Sequence, residues 1–419
     1  MAVLFMDSWS DRSYFPQWLW RYNTTGIGGL HPEANRSFRN APIGQAWSDD
    51  DPGSHAIELA HVIGSMAHWT VGLAFCPVLD GATSAVFFRL EGTQTGYTDA
   101  NLPNSSTQFS VFCDTDGTLK FYSGGNGIES DRGTLLYSAT SGQKLTSGAW
   151  TYLEFDVTLS ATGSGSLTVM RDDVLFCSLT SQTIGTGSAD RFAIRKGQNA
   201  YGTALWSIAD VYVADSLLGP CRVTAFPMAT DAIPQGFTRA GTVVNATNVQ
   251  QIDEWSYAVG FTDIPDGDRT AVENDNGAVT DLYYPKNVPC YGKILAIAAN
   301  MTCRSLSGSP TLQVLCRQGA TRYTVAGPLS VPLGCYLAAV TGIVPPGTGN
   351  ALYAQLQAIQ QYQPKDNSAW SDIDVQNAAW GMQAGGTGIA RVTAFSLEKL
   401  VSMRNVPYQC AGGSYSFTQ

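Results

Sequence analysis

Short runs of alternating apolar and polar residues, each closed by Gly, Asp, Asn or Ser, recur through most of this chain, and their period of two restricts the fold more than any other feature. Thr151-Tyr152-Leu153-Glu154-Phe155-Asp156-Val157 is a clear case. A strand sends successive side chains to opposite faces, so such a run carries one apolar face that must be covered. Leu167 to Met170 and Val174 to Cys177 flank Arg171-Asp172-Asp173 and predict a hairpin. Asp114-Thr115-Asp116-Gly117 predicts a second, between Gln108–Cys113 and Thr118–Tyr122. Only Val249 to Trp255 and Asn350 to Ala358 suit a short helix. Evenly spaced strands without helical periods between them predict an all-β antiparallel sandwich and exclude alternating strand–helix folds.

A chain of 419 residues exceeds one ordinary core, so two domains are expected. The pattern divides into an irregular aromatic segment (1–50), a first β-sandwich (51–227), a linker (228–240) and a second β-sandwich (241–419). The linker reading rests on Pro227-Met228-Ala229-Thr230-Asp231-Ala232-Ile233-Pro234, which is punctuated by proline. Arg222-Val223-Thr224-Ala225-Phe226 recurs as Arg391-Val392-Thr393-Ala394-Phe395, each copy preceded by a Trp-Ser element at 206–207 or 370–371. The echo suggests two related lobes.

With 24 basic and 34 acidic residues the net charge is −10, and no run of Lys or Arg offers phosphates a track, so nucleic acid is not an expected partner. No apolar run approaches the ~20 residues of a membrane span, so no membrane insertion is expected. The first residues lack a basic, apolar leader, which predicts a protein made and folded in a cytoplasm. Nine cysteines include no CxxC pair and mostly lie in apolar runs, the pattern of small buried hydrophobes rather than zinc ligands. Cys290, Cys303, Cys316 and Cys335 leave a disulfide among them open.

Catalytic constellations are sparse. The four histidines are His31, His55, His61 and His68, and the seven-residue step from His61 to His68 places them on opposite faces if one strand carries both. There is no Gly-x-Ser-x-Gly elbow, and Gly26-Ile27-Gly28-Gly29 lacks the period and lysine of a phosphate loop. Glu154-Phe155-Asp156 is the sharpest enzymatic candidate, because a retaining glycosidase sets two carboxyls ~5 Å apart. The next positions on that face are Thr158 and Ser160, so Glu154 reads as an outward-facing strand residue. No catalytic residue is therefore assigned and no enzyme is expected. Asp263, Asp266 and Asp268 form the best candidate calcium cluster, with Asp49-Asp50-Asp51 behind it; otherwise no cofactor is expected. Loops carrying Tyr97, Asp99, Asn101 and Asn104, and Asn199 with Tyr201, offer rings to stack on sugars and polar groups to bond them.

Residues 55–227 resemble the concanavalin-like lectin and laminin-G-type jelly roll. The resemblance is carried by Trp150 to Phe155, by the hairpin Gly165 to Leu175, and by Trp206-Ser207-Ile208-Ala209-Asp210-Val211-Tyr212-Val213. The continuation through Leu217-Leu218-Gly219-Pro220-Cys221-Arg222-Val223 and Asn245 to Glu254 is similar to tailed-bacteriophage virion proteins. That resemblance implies a concanavalin-like jelly roll followed by a second β-sandwich. It also implies a non-enzymatic structural protein of the virion, tail-associated as a fibre, spike or baseplate-linked part. The partners it implies are other virion proteins, further copies of the chain in a homo-oligomer, and a host surface glycan. A head-decoration or head-fibre protein, a free carbohydrate-binding module and a glycan-cleaving enzyme are the alternatives.

Overall fold

The computed structural model describes residues 2–7, 19–22, 30–33, 46–49, 57–79, 85–92, 107–125, 131–195, 205–241, 244–252, 270–275, 277–286, 292–331, 354–404, 408–410 and 413–415. The chain is all-β and forms two compact units, dividing at Cys221 and Arg222.

The first unit is a sandwich of two antiparallel sheets. One sheet runs in the order β13 (Val174–Ile184), β12 (Ser160–Arg171), β11 (Thr151–Thr158), β6 (His68–Val78), β15 (Leu205–Ala214), β4 (Ala46–Asp49) and β3 (Leu30–Glu33), and β1 (Val3–Asp7) also pairs with β15. The other runs in the order β10 (Thr134–Ser138), β9 (Leu119–Ser123), β8 (Thr107–Cys113), β7 (Ala85–Glu91), β14 (Ala189–Arg195), β5 (Ile57–Met66) and β2 (Leu19–Tyr22). Aromatic rings join the two faces: Phe75 stacks on Phe87 at 4.0 Å between centroids, and Phe88 on Phe155 at 5.1 Å. Each fully buried ring contributes roughly 2–3 kcal/mol by burial, and each ring pair about 1 kcal/mol more.

The expected hairpins form. Asp172 and Asp173 take φ of 50° and 66° between β12 and β13, the positive values of a tight hairpin turn. Between β8 and β9, Asp114 N–H donates to Thr118 O at 2.9 Å. The aromatic amino-terminal segment is less irregular than its sequence suggests, for β1 to β4 lie within it. β2 pairs with β5 in register Leu19 to Ala60. The two candidate histidines prove to be on different strands, His61 on β5 and His68 on β6, because Ala67 separates two strands of different sheets.

In the second unit the order is β16 (Cys221–Gln235), β19 (Thr280–Pro285), β23 (Ala379–Ser402), β18 (Ala271–Glu273) and β17 (Thr238–Ala240). β20 (Lys293–Gln318) pairs along the length of β23, and β21 (Thr321–Ser330) and β22 (Ala354–Gln360) pair with β20. Beyond them, β24 (Tyr408–Cys410) pairs with β25 (Gly413–Tyr415). Two short helices, α1 (Asn248–Gln251) and α2 (Asp372–Asn377), complete the described elements. The first lies in one of the two segments expected to suit a helix, while part of the other, Ala354–Gln360, is strand β22. α2 begins with a capping box between Ser371 and Asp374.

The segment expected to be a linker is instead part of this unit. Residues 228–235 run within β16 and residues 238–240 form β17, both paired. Pro234 is tolerated because it sits in the irregularity between Ala232 and Gln235, where no ladder bond is required of it. Both copies of the Arg-Val-Thr-Ala-Phe echo fall in this unit, on β16 and β23, so the echo does not mark equivalent strands of two lobes.

Asp281 holds the turn that follows β16. It accepts from Gly236 N–H at 2.6 Å, Phe237 N–H at 2.8 Å, Asn248 Nδ2 at 2.7 Å and Tyr283 OH at 2.9 Å. Burial raises its carboxyl above the ordinary range, and these donors pull it back.

β20 and β23 are exposed at Ser307 to Ser309 and at Gly386 and Thr387, and buried on either side. Gly388, with φ of 107°, lies against the Ser307 carbonyl, where a Cβ would collide. Gly388→Ala is therefore expected to lower the unfolding free energy of this unit by about 1–3 kcal/mol, measured by denaturant titration.

Cys113, Cys177, Cys303 and Cys316 are free, buried thiols, and Cys76 and Cys221 are buried as well. Cys303 and Cys316 thus form no disulfide, while Cys290 and Cys335 lie outside the described residues. Burial pushes the thiols of Cys113, Cys177, Cys303 and Cys316 from 9.0 to about 12. They stay neutral at pH 8, and as pH rises above 9 the fold opposes an ionisation that the unfolded chain permits. A thiol reagent at pH 8 should modify no more than three of the nine cysteines quickly, since these six are buried, with the rest reacting on unfolding.

Candidate functional site

Residues 97–101, 104, 199 and 201, which carry Tyr97, Asp99, Asn101, Asn104, Asn199 and Tyr201, lie outside the described residues. So do Asp263, Asp266 and Asp268 of the candidate calcium cluster, and Asp50 and Asp51 of the other. Among the described residues, no three His, Cys, Asp or Glu side chains converge to hold a metal.

Glu154 departs from its expected setting. Its strand partners Leu153 and Phe155 face the sandwich interior, so it does point away from that interior, but it is only 1% exposed. Glu154 faces Gly72 on β6, and Gly72 faces Tyr212 on β15. The missing side chain at Gly72 lets the Tyr212 ring lie across β6, and a Cβ there would strike the ring. Tyr212 OH donates to Glu154 Oε1, as do Leu218 N–H at 3.1 Å and Gly219 N–H at 2.8 Å. Three donors fix one carboxylate oxygen, so the Glu154-Phe155-Asp156 run has a structural explanation. Burial, then the neighbouring Glu154 charge, drives the Tyr212 hydroxyl well above its ordinary pKa, and it stays a donor at any physiological pH. Asp156, two positions on, accepts from Thr70 Oγ1 at 3.3 Å and lies 3.0 Å from His68 Nε2.

A more chemically varied surface lies on the other sheet. Phe88 and Leu90 on β7, Phe109 and Val111 on β8, and Leu119 and Phe121 on β9 are fully buried; ring contacts carry Phe88, Phe109 and Phe121 into the interior against Phe155. Alternation therefore sends Arg89, Glu91, Ser110, Phe112, Lys120 and Tyr122 to the outer face. The register assembles them into a cross-strand row: Leu135 opposite Tyr122, Tyr122 opposite Ser110, Ser110 opposite Arg89 and Arg89 opposite Ala193. Exposure falls along it from 51% at Leu135 to 8% at Tyr122, 0% at Ser110 and 2% at Arg89.

Small Ser110 thus lies between two large side chains, and its hydroxyl has no hydrogen-bond partner among the described residues. A buried hydroxyl left unbonded costs about 1–3 kcal/mol, a cost borne here at a position with no exposed surface. Arg89 is paired with Glu91 at 2.5 Å, and Arg89 Nη1 reaches Thr107 Oγ1 at 3.5 Å. At the shallower end Asp114 accepts from Lys120 Nζ at 2.5 Å and Arg132 Nη1 at 3.1 Å. The Arg132 guanidinium lies 4.7 Å from the Phe112 ring centroid and also donates to Tyr122 OH at 3.3 Å. Hydrogen bonding to Asp114 raises the Lys120 ammonium above its ordinary pKa, so it remains charged.

This face is not visible in the sequence. Arg89, Ser110, Lys120 and Tyr122 are simply the polar or amphipathic alternates of three strands, and only strand register brings them together. A fourth contributor, Arg132, comes from just before β10.

No family model and no curated protein matches the chain. Among solved structures it is similar to endo-β-1,4-glucuronan lyase from the fungus Trichoderma reesei at 11% identity and a TM-score of 0.32, over 47% of this chain and 95% of that one. It is similar to the carbohydrate recognition domain of Emp46p at 10% identity and 0.35, over 52% and 97%. A carbohydrate esterase from the Shiga toxin-encoding bacteriophage phi24B is similar at 13% identity and 0.34, over 51% and 97%. These similarities are too slight to assign a ligand or a reaction.

Glu154→Gln keeps the volume but replaces an oxygen facing three donors with a neutral amide. It should destabilise the first unit by about 1–3 kcal/mol in thermal or denaturant unfolding, with Tyr212→Phe costing less.

Proposed function

We propose that this protein is a non-enzymatic component of a bacteriophage particle, tail-associated, whose first unit binds a glycan of the host surface. The observation that carries the binding reading is the cross-strand row on the outer face of the second sheet. Leu135 and Tyr122 offer apolar contact, and Arg132 and Lys120 offer charged donors beside them. Deeper along the row Ser110 is fully buried and belongs to the packing beneath the contact surface. Sugars need this combination, since a ring has apolar C–H faces and a rim of hydroxyls.

The non-enzymatic reading is supported by the use of the charged groups. Arg89 with Glu91 and Arg191 with Asp190 are ion-paired, as are Lys120 and Arg132 with Asp114. Glu154 is engaged by structural donors. Hydrolysis by two carboxyls needs one free acid and one free base or nucleophile across a sugar. The particle reading is supported by the resemblance of residues 55–300 to tailed-phage virion proteins.

The test is a binding screen of the full chain against polysaccharides from bacterial surfaces, with Leu135→Ala and Lys120→Ala, at the exposed end of the row, as variants whose folding is checked by circular dichroism. Binding weakened by about tenfold in the variants, with no new reducing ends formed, is the expected result. Mass spectrometry of purified particles from the cognate phage should find the chain among the structural proteins. Its absence there would remove the particle assignment while leaving the binding assignment to the screen.

A further inference from the structure

In the second unit two arginines face one another without an acid between them. Arg317 on β20 stands directly opposite Arg322 on β21, so both side chains rise from one face of the ladder with Cβ atoms about 5 Å apart. Like charges placed in this way repel. Arg317 donates to Ile233 O and, at 2.9 Å, to Tyr284 OH, both uncharged acceptors. Arg322 is exposed and has no ion pair or side-chain hydrogen bond among the described residues.

Cys316, Trp380 and Tyr283 belong to the main core of this unit, so their strand neighbours Arg317, Ala379 and Tyr284 point away from it. On that outer side Ala379 joins Ala232, Leu282 and Leu315 in a small buried cluster, which forms a firm floor. The Arg317 guanidinium lies 6.0 Å from the Tyr284 ring centroid, and its two hydrogen bonds fix its position. A guanidinium has five N–H donors, so donors remain for a ligand. Beside it Tyr284 is 37% and Ile233 81% exposed. Thr230, opposite Tyr284, and Thr324, two residues beyond Arg322, are exposed as well and bear hydroxyls.

We propose that this outer face is an oxyanion site for an acidic saccharide, in which Arg317 and Arg322 together hold a carboxylate or phosphate and Tyr284 with Ile233 supports the sugar ring. It extends the glycan-binding reading to a second, separate surface of the chain. A guanidinium matches two oxygens of either anion, and a bound anion relieves the repulsion between the paired arginines. The exposed ring and the flanking threonine hydroxyls suit a sugar, whose faces are apolar and whose rim is polar.

The experiment measures binding of the full chain to polygalacturonate and its carboxyl-reduced derivative, to phosphomannan and mannan, and to polyglutamate, at about 0.15 M sodium chloride. The expected result is binding to one acidic polysaccharide at least about tenfold tighter than to its neutral counterpart, and which of the two identifies the anion. Arg322→Ala should abolish that preference. Arg317→Lys keeps the charge but loses the planar fork, and should weaken acidic binding by about tenfold. Leu135→Ala and Lys120→Ala, on the first unit, should leave the acidic preference unchanged.

Equal binding of acidic and neutral polysaccharides overturns the oxyanion site and leaves glycan binding by the first unit standing. So does an acidic preference that survives Arg322→Ala in a protein whose circular dichroism is unchanged. Polyglutamate bound more tightly than either acidic polysaccharide overturns the sugar assignment in favour of an acidic protein surface. Failure to bind any of these polymers sinks the site as well, while the screen of bacterial polysaccharides decides the first-unit reading by itself.

Discussion

Phe155 on β11 and Phe88 on β7 stack in the interior of the first unit, with Phe109 and Phe121 packed around them. Along the regular stretches of these strands, fixing the rings inward fixes their alternate neighbours outward, and slipping one strand by a single position would turn both sets over. β7 departs from the rule at its irregularity between Val86 and Phe88, where Phe87 also faces inward onto Phe75. Arg89 faces out because Phe88 faces in, and Glu154 does so because Phe155 does not. The aromatic contact therefore determines both the core and the chemistry of two outer surfaces, one closed by Tyr212 and the other graded from Leu135 down to Ser110.

Much of this architecture is legible before folding. Alternation gives the strands, aspartates and glycines give the turns, and six of the cysteines are the core residues that their apolar settings predict. What fails does so for identifiable reasons. Proline at 227 and 234 suggested a linker, yet a strand accommodates proline wherever the ladder is irregular. The short α2 went unseen, although Ser371 and Asp374 have the spacing of a capping box. The echo of five residues misled because identity along a strand carries no information about which sheet the strand joins.

The candidate site was the least legible part. Its residues come from β7, β8, β9 and the approach to β10, and no local spacing joins Arg89 to Tyr122 or Arg132 to Asp114. Register does so, and register is a property of pairs of strands rather than of one segment. Glu154 shows the converse: its outward direction was readable, but its cover was not, because Tyr212 and the backbone at 218–219 arrive from about 60 residues away.

The shared ladder of β20 and β23 has a consequence in time. Lys293 pairs with Ser402, and Arg317 with Ala379, so the central ladder of the second unit joins partners separated by 62 to 109 residues. On the ribosome β20 exists for several seconds before its partner β23 is made, at the usual ~5–20 residues per second. Meanwhile β20, with its run of buried residues from Ala296 to Cys303, waits with one edge unsatisfied. The unit is thus a slow, late-closing one of high contact order, dependent on protection of that edge until residue 402 has emerged.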